Sequence, residues 1–422
     1  MVKARHVYHL AGFDPIDAGA LHRRFARQLE LFQHTWKVEA TLSELHRSDD
    51  RSRAWWTVNA RAANWDVKAV HEIMLWDDIV RNDFARPLVV RLFKAVLAYF
   101  DFVTTGTMSR YSAASKRYAV FFHFPFALLA LFAICAAFFG WLLIYLSDFA
   151  GIAAIAAGSL AGWVVFVILL QWPGRRWRVL QLLDDWSFAR AYLHNLRPDL
   201  DARLDRFAET LIARARDPLD EIVIVGHSLG AMLAIDVISR TLGRDPDFGR
   251  RVSICLLTVG ATIPKFALYA KADRIRHMIA RVTAEPLIAW AEFQAREDSI
   301  SFYKFDPVSL RPIGYDRLDG KPLIRCVHVR DQLQPETFIR YRHNALRVHY
   351  QSVMANEKRA PYDYYLMVCG PVPFICWTVS GAGFLDFITT DGAYEDGWRI
   401  STAGRTRKTS EAAEELLGTS DK

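Results

Sequence analysis

Two apolar runs, residues 118–146 and 149–172, contain no Asp, Glu, Lys or Arg, and only Ser147 and Asp148 lie between them. Each exceeds the roughly 20 residues that an α-helix needs to cross a bilayer. Lipid offers no water to satisfy a bare amide, so runs of this kind can enter it only as helices, here a hairpin. Core helices of soluble proteins rarely stay uncharged for so long, and the runs are therefore read as two transmembrane helices. Arg110, Lys116 and Arg117 precede the first run, and Arg175, Arg176 and Arg178 follow the second. The positive-inside rule then puts both outer flanks in the cytoplasm and the acidic tip at Asp148 on the other side. Gly158 and Gly162 form a small-xxx-small pair suited to close helix contact, and Trp141, Tyr145, Trp172 and Trp177 fall near the expected interfaces. His123 and Pro125 are expected at an interfacial edge and a tolerated kink rather than at a proton site.

Residues 221–240, EIVIVGHSLGAMLAIDVISR, carry a second constraint. A β-branched apolar run passes through Gly226-His227-Ser228-Leu229-Gly230 into a helical pattern, which predicts a strand, a sharp turn and a helix. A serine at such a corner projects its hydroxyl, and small residues two positions either side let strand and helix approach closely. Ser228 is the candidate nucleophile. The alternative is a glycine-rich turn of another doubly wound sheet, with Ser228 as a helix cap.

This elbow resembles that of the α/β-hydrolase family, whose GHSLG version is common among lipases, esterases and thioesterases. The likeness is strong at residues 226–230 and rests elsewhere on the order of elements. It implies an α/β fold with a mostly parallel sheet flanked by helices, interrupted here by the inserted transmembrane hairpin. The family's chain order of nucleophile, acid and histidine implies Asp298 as the acid, on the loop after a strand at 286–294, with Asp306 and more weakly Glu297 as rivals. It implies His349 as the base, with His343 as rival, while His328 lies inside the strand expected at 322–329 and is read as structural. By the same resemblance the backbone N–H groups of Leu229 and Phe13 are the oxyanion donors, Gly12 allowing close approach. The family's longer HGGG form is absent, so Phe13 is chosen by analogy.

Other elements follow from periodicity. Residues 5–10 read as a strand, Ala18–Trp36 as an amphipathic helix, and 38–45, 55–59 and 70–75 as strands. Helical sequence at 84–102 carries Leu92, Phe93, Val96, Tyr99 and Phe100 in a pattern that suits either a membrane interface or packing under the core. Val179–Leu193 and residues 199–216 read as helices, and 252–259 as a buried strand ending at Gly260. Residues 364–388 are apolar again but broken by Gly370, Pro371, Pro373, Gly381 and Gly383, which favours buried or interfacial irregular structure over a third span. The chain thus divides at 1–117, 118–172, 173–390 and a polar tail, 391–422.

Composition narrows function. The 422 residues carry a net charge of +7, but the basic groups are mixed with acids and gather mainly beside the apolar runs. Anionic lipid explains them more simply than nucleic acid does. The five cysteines show no C-x-x-C pair, so neither a zinc site nor a disulfide framework is expected. No metal or organic cofactor is implied. The N-terminus lacks the apolar core of a cleavable signal peptide. Asp77, Asp78, Asp184 and Asp185 are read as solvated or cap-forming, because neighbours on a helix point about 100° apart and a doublet alone builds no chelate. The expected protein is a cytoplasm-facing, membrane-anchored serine hydrolase with a lipid-like or amphiphilic acyl substrate. A catalytically silent scaffold and an acyltransferase using the same triad are the alternatives.

Overall fold

The elbow strand EIVIVGH is buried at every position. A strand with no polar alternation has to be covered on both faces, which places it mid-sheet between two helical layers. The computed structural model describes residues 1–146, 151–314 and 320–395 and has that arrangement. Asp148 and the tail beyond 395 lie outside the described residues.

Among the described residues nine strands form one mixed sheet: β1 Ala4–Leu10, β2 Glu39–Leu42, β3 His46–Arg47, β4 Arg53–Ala62, β5 Trp65–Met74, β6 Glu221–His227, β7 Ser253–Val259, β8 Ile288–Ala295 and β9 Leu323–Val327. Their order is β2-β4-β5-β1-β6-β7-β8-β9, with β3 on β4. From β5 to β9 all pairings are parallel, and the β2, β3 and β4 side is antiparallel. Register pairs Leu10 with Gly226, His227 with Val259, and Val259 with Phe293. The carboxyl ends of β1, β6, β7 and β8 therefore meet along one edge, where open α/β sheets place their ligands.

Side chains alternate across β6. Ile222 and Ile224 join the core on one face, with the elbow helix Gly230–Arg244, and Val223 and Val225 join the other, with Trp36, Trp56 and Tyr365. On that second face Ala18–Trp36 buries Leu21, Phe25, Leu29, Phe32 and Trp36, and Asp17 caps its start by accepting from Gly19 and Ala20.

Two helices, Lys116–Leu146 and Gly151–Gln171, are long and apolar enough to cross a membrane. Most of their side chains are exposed, so they are not core helices of the sheet domain. They pack closely on each other: a β-carbon on Gly158 would sit 2.6 Å from the Gly140 carbonyl oxygen, and one on Gly162 would sit 2.9 Å from that of Ala136. The base of the first helix belongs to the globular part. Tyr118 and Phe122 are buried with Phe102, Tyr111 and Trp186 in the core shared by chain on both sides of the hairpin.

Several expectations need correction. The helix expected at 84–102 is present but starts at Leu88 and runs to Thr104, while Phe84 ends a separate helix, Asp77–Phe84, because Pro87 disfavours helical geometry in the residue before it. Only four residues of 38–45 pair as a strand. Residues 364–388 are buried on the sheet as expected, through Leu366, Phe374, Trp377 and Phe384, but as short helices, Tyr364–Cys369 and Phe374–Val379, and a turn at Gly383–Asp386 rather than as irregular chain. His328 lies just past β9, 3.4 Å from Glu297. Asp184 is not solvated but buried against Arg91, with one oxygen 3.0 Å from Nε.

Candidate active site

The turn after β6 holds Ser228 at φ +57°, a left-handed conformation costing a non-glycine residue on the order of 1 kcal/mol or more. Backbone bonds impose it. Ser228 N–H donates to Val259 O at 3.1 Å, and its carbonyl accepts from Ala231 at 3.2 Å and Thr262 at 3.3 Å. The flanking glycines are required by contact. A β-carbon on Gly226 would lie 2.4 Å from Ala231 Cα, and one on Gly230 would lie 2.1 Å from Leu10 O. Leu229 is the N-cap residue of the elbow helix, so its N–H belongs to the N-terminal donors that lack intrahelical partners and carry the positive end of the dipole. Gly12, on the loop after β1, faces Ser228 so closely that a β-carbon there would be 3.2 Å from Oγ.

Asp298 follows β8 and His349 lies in the last turn of the helix Ala345–Tyr350, yet the two meet: His349 Nδ1 lies 2.7 Å from Asp298 Oδ2. They are 3 % and 1 % exposed. Asp298 also accepts from the Ser301 hydroxyl at 2.7 Å and the Ile300 amide at 2.9 Å. Burial alone would raise its carboxyl, but the charge and hydrogen bond of His349, with those two donors, hold it below the usual carboxylate range. An ionised Asp298 can only accept, so Nδ1 carries the proton and Nε2 is the basic nitrogen. Nε2 is buried with no hydrogen-bond partner among the described residues. Hydrogen bonds of this type often close only when substrate is present.

Ser228 and His349 line one cavity of about 60 Å³, together with Phe13, Leu229, Tyr118 and Phe121. Its polar lining includes an ion pair of buried Lys265 with half-buried Asp185, Nζ to Oδ2 at 2.6 Å. Burial pulls the Lys265 ammonium below its ordinary range, and Asp185 opposes this only in part. His227, its ring centroid 4.7 Å from that of His349, is held down to about 3 by burial and then by the charge of His349, so it stays neutral.

The other expected residues fall elsewhere. Asp306 accepts from the Val308 and Ser309 amides of its own turn, Glu297 accepts from the Val329 amide, and His343 is exposed. Thr262, Lys265 and Tyr118 also line the site, and no local motif in the sequence marks them. Gly260, which the strand pattern marks only as an end, has φ +53° and packs beside the His349 ring and Asp298. No protein-family model, curated protein or solved structure matches the chain.

Proposed function

We propose that this chain is a membrane-anchored serine hydrolase that cleaves carboxylic esters or thioesters of lipid-like acyl substrates, its globular part facing the cytoplasm. One observation carries the reading: the Ser228 elbow and His349, itself held by buried Asp298, line a single cavity walled by the base of the first apolar helix. In this scheme His349 Nε2 takes the Ser228 proton as Oγ attacks the acyl carbon, and Asp298 orients the ring and stabilises the imidazolium. Leu229 and Phe13 N–H groups, at the elbow helix start and the loop after β1, receive the developing oxyanion. The imidazolium returns its proton to the leaving alcohol or thiol, and water repeats the sequence to free the acid. An alcohol in place of water gives acyl transfer.

The lipid-like substrate class is supported by Tyr118 and the half-buried Phe121, which belong to the cavity wall and to the first apolar helix at once. At about 60 Å³ the cavity holds only the reacting group, since ligand sites usually need roughly 300 Å³ or more. The acyl chain must extend past these aromatic side chains toward the bilayer. A fluorophosphonate probe on the membrane-purified protein tests the chemistry. Labelling should vanish in Ser228→Ala and fall steeply in His349→Ala. A folded wild type that stays unlabelled would favour the silent scaffold, and activity confined to soluble short-chain esters would remove the lipid assignment.

A further inference from the structure

The helix Leu88–Thr104 lies outside the two long apolar helices and outside the site, yet it exposes a row of large hydrophobic side chains. Val89, Phe93 and Phe100 are 65, 62 and 57 % exposed, and Val90, Val96, Leu97 and Val103 are also exposed. At 3.6 residues per turn all seven fall on one face of roughly 140°. The opposite face buries Ala95, Ala98 and Phe102. This helix is amphipathic in reverse of solubility: its core side is already satisfied, and its outward side is the apolar one.

What covers that face is indicated by its neighbours. Tyr99 packs on Phe122 and Phe126 of the first apolar helix, with ring centroids 5.8 and 4.8 Å apart. Ala95 shares a cluster with Phe132 of that helix and Leu170 of the second. These contacts seat the inner side and flank of the helix against the two apolar helices, so its outward apolar face lies beside their exposed side chains. A hollow beside Phe93 and Leu97 is lined by Lys94 together with Arg86 and Arg91, which pair with Asp83 and Asp184, so Lys94 is the cation placed to meet an anionic headgroup at the membrane surface.

We propose that Leu88–Thr104 is a third membrane-contacting element, its outward face seated in the bilayer beside the base of the hairpin. The inference rests on the membrane placement in the proposed function and is independent of the Ser228 chemistry. Its seat would fix the globular part at the surface in one orientation, where two spans alone leave it free to tilt.

Benzoylphenylalanine placed in turn at Phe93 and Phe100, with the full chain in phosphatidylcholine–phosphatidylglycerol nanodiscs, gives the test by photocrosslinking and mass spectrometry. Leu160, exposed on the second apolar helix, and Ile339, exposed on the globular part, serve as controls. Lipid adducts are expected at Phe93, Phe100 and Leu160 and not at Ile339. Adducts at Leu160 alone, or chain-to-chain crosslinks at Phe93, would overturn the proposal; the second result would assign the face to another copy. Adducts at none of the positions would overturn it together with the membrane placement. Fluorophosphonate labelling of the same sample reports separately on Ser228.

Discussion

At the scale of single residues, the candidate site depends on a few buried polar atoms whose partners are fixed. In Asp298→Asn the amide can no longer stabilise an imidazolium, and it favours the wrong His349 tautomer. Probe labelling of Ser228 is expected to slow by roughly 10³- to 10⁴-fold with the fold retained, the size of effect seen when such an acid is neutralised in a triad. Unchanged labelling would remove Asp298 from the mechanism. Buried imidazoles also set a pH limit. His71 and His227 are both held at about 3 instead of 6.5, chiefly by burial and then by the charges of His6 and His349 respectively. The unfolded chain binds these protons and the folded chain does not, so this stabilisation is complete above pH 6.5 and is lost as pH falls from there toward about 3. Thermal midpoints in detergent should decline across that window, and His227→Gln should make the decline shallower.

At the scale of elements, close backbone approach decides what can be changed. Gly230→Ala drives a β-carbon to 2.1 Å from the Leu10 carbonyl oxygen, where only a shift of β1 or of the elbow helix gives relief. Such overpacking costs about 1–3 kcal/mol, read as a lower denaturation midpoint, and probe labelling should fall as Ser228 moves. The hairpin has the same construction. Gly158→Leu would push against the Gly140 carbonyl and Ile144, so the two apolar helices should separate, with thermal unfolding in detergent at lower temperature and the sheet domain's circular dichroism preserved. An unaltered midpoint would mean that the helices do not rely on this contact.

For the whole molecule, the hairpin is not an anchor that can be cut away. Tyr118 and Phe122 sit in the main core, with the Tyr118 ring centroid 4.0 Å from that of Phe302 and the Phe122 centroid 4.7 Å from that of Trp186. Losing each of these burials costs about 2–3 kcal/mol. Excision of residues 116–178 with a short linker should therefore yield aggregated or unfolded chain by size exclusion and circular dichroism. A monodisperse, folded product would show that hairpin and sheet domain are separable.

Much of this was legible in the chain itself. The helices Ala18–Trp36 and Val179–Leu193, the strand β6 and the two long apolar helices follow from local periodicity, because side-chain spacing along one segment records which faces that segment buries. Ser228 and its flanking glycines were readable for the same reason, since an elbow is a contact among residues within five positions. Spacing could not choose between His349 and His343 or between Asp298 and Asp306. Those pairs differ only in what lies across the fold: a 2.7 Å contact over 51 positions of chain for one pair, an exposed ring and a self-capped turn for the other two. The sheet order, the burial of Asp184 against Arg91, and the meeting of Ser228, His349 and Lys265 with Tyr118 around one cavity are likewise tertiary. Side-chain pattern specifies which face is buried; only close packing of distant segments specifies against what.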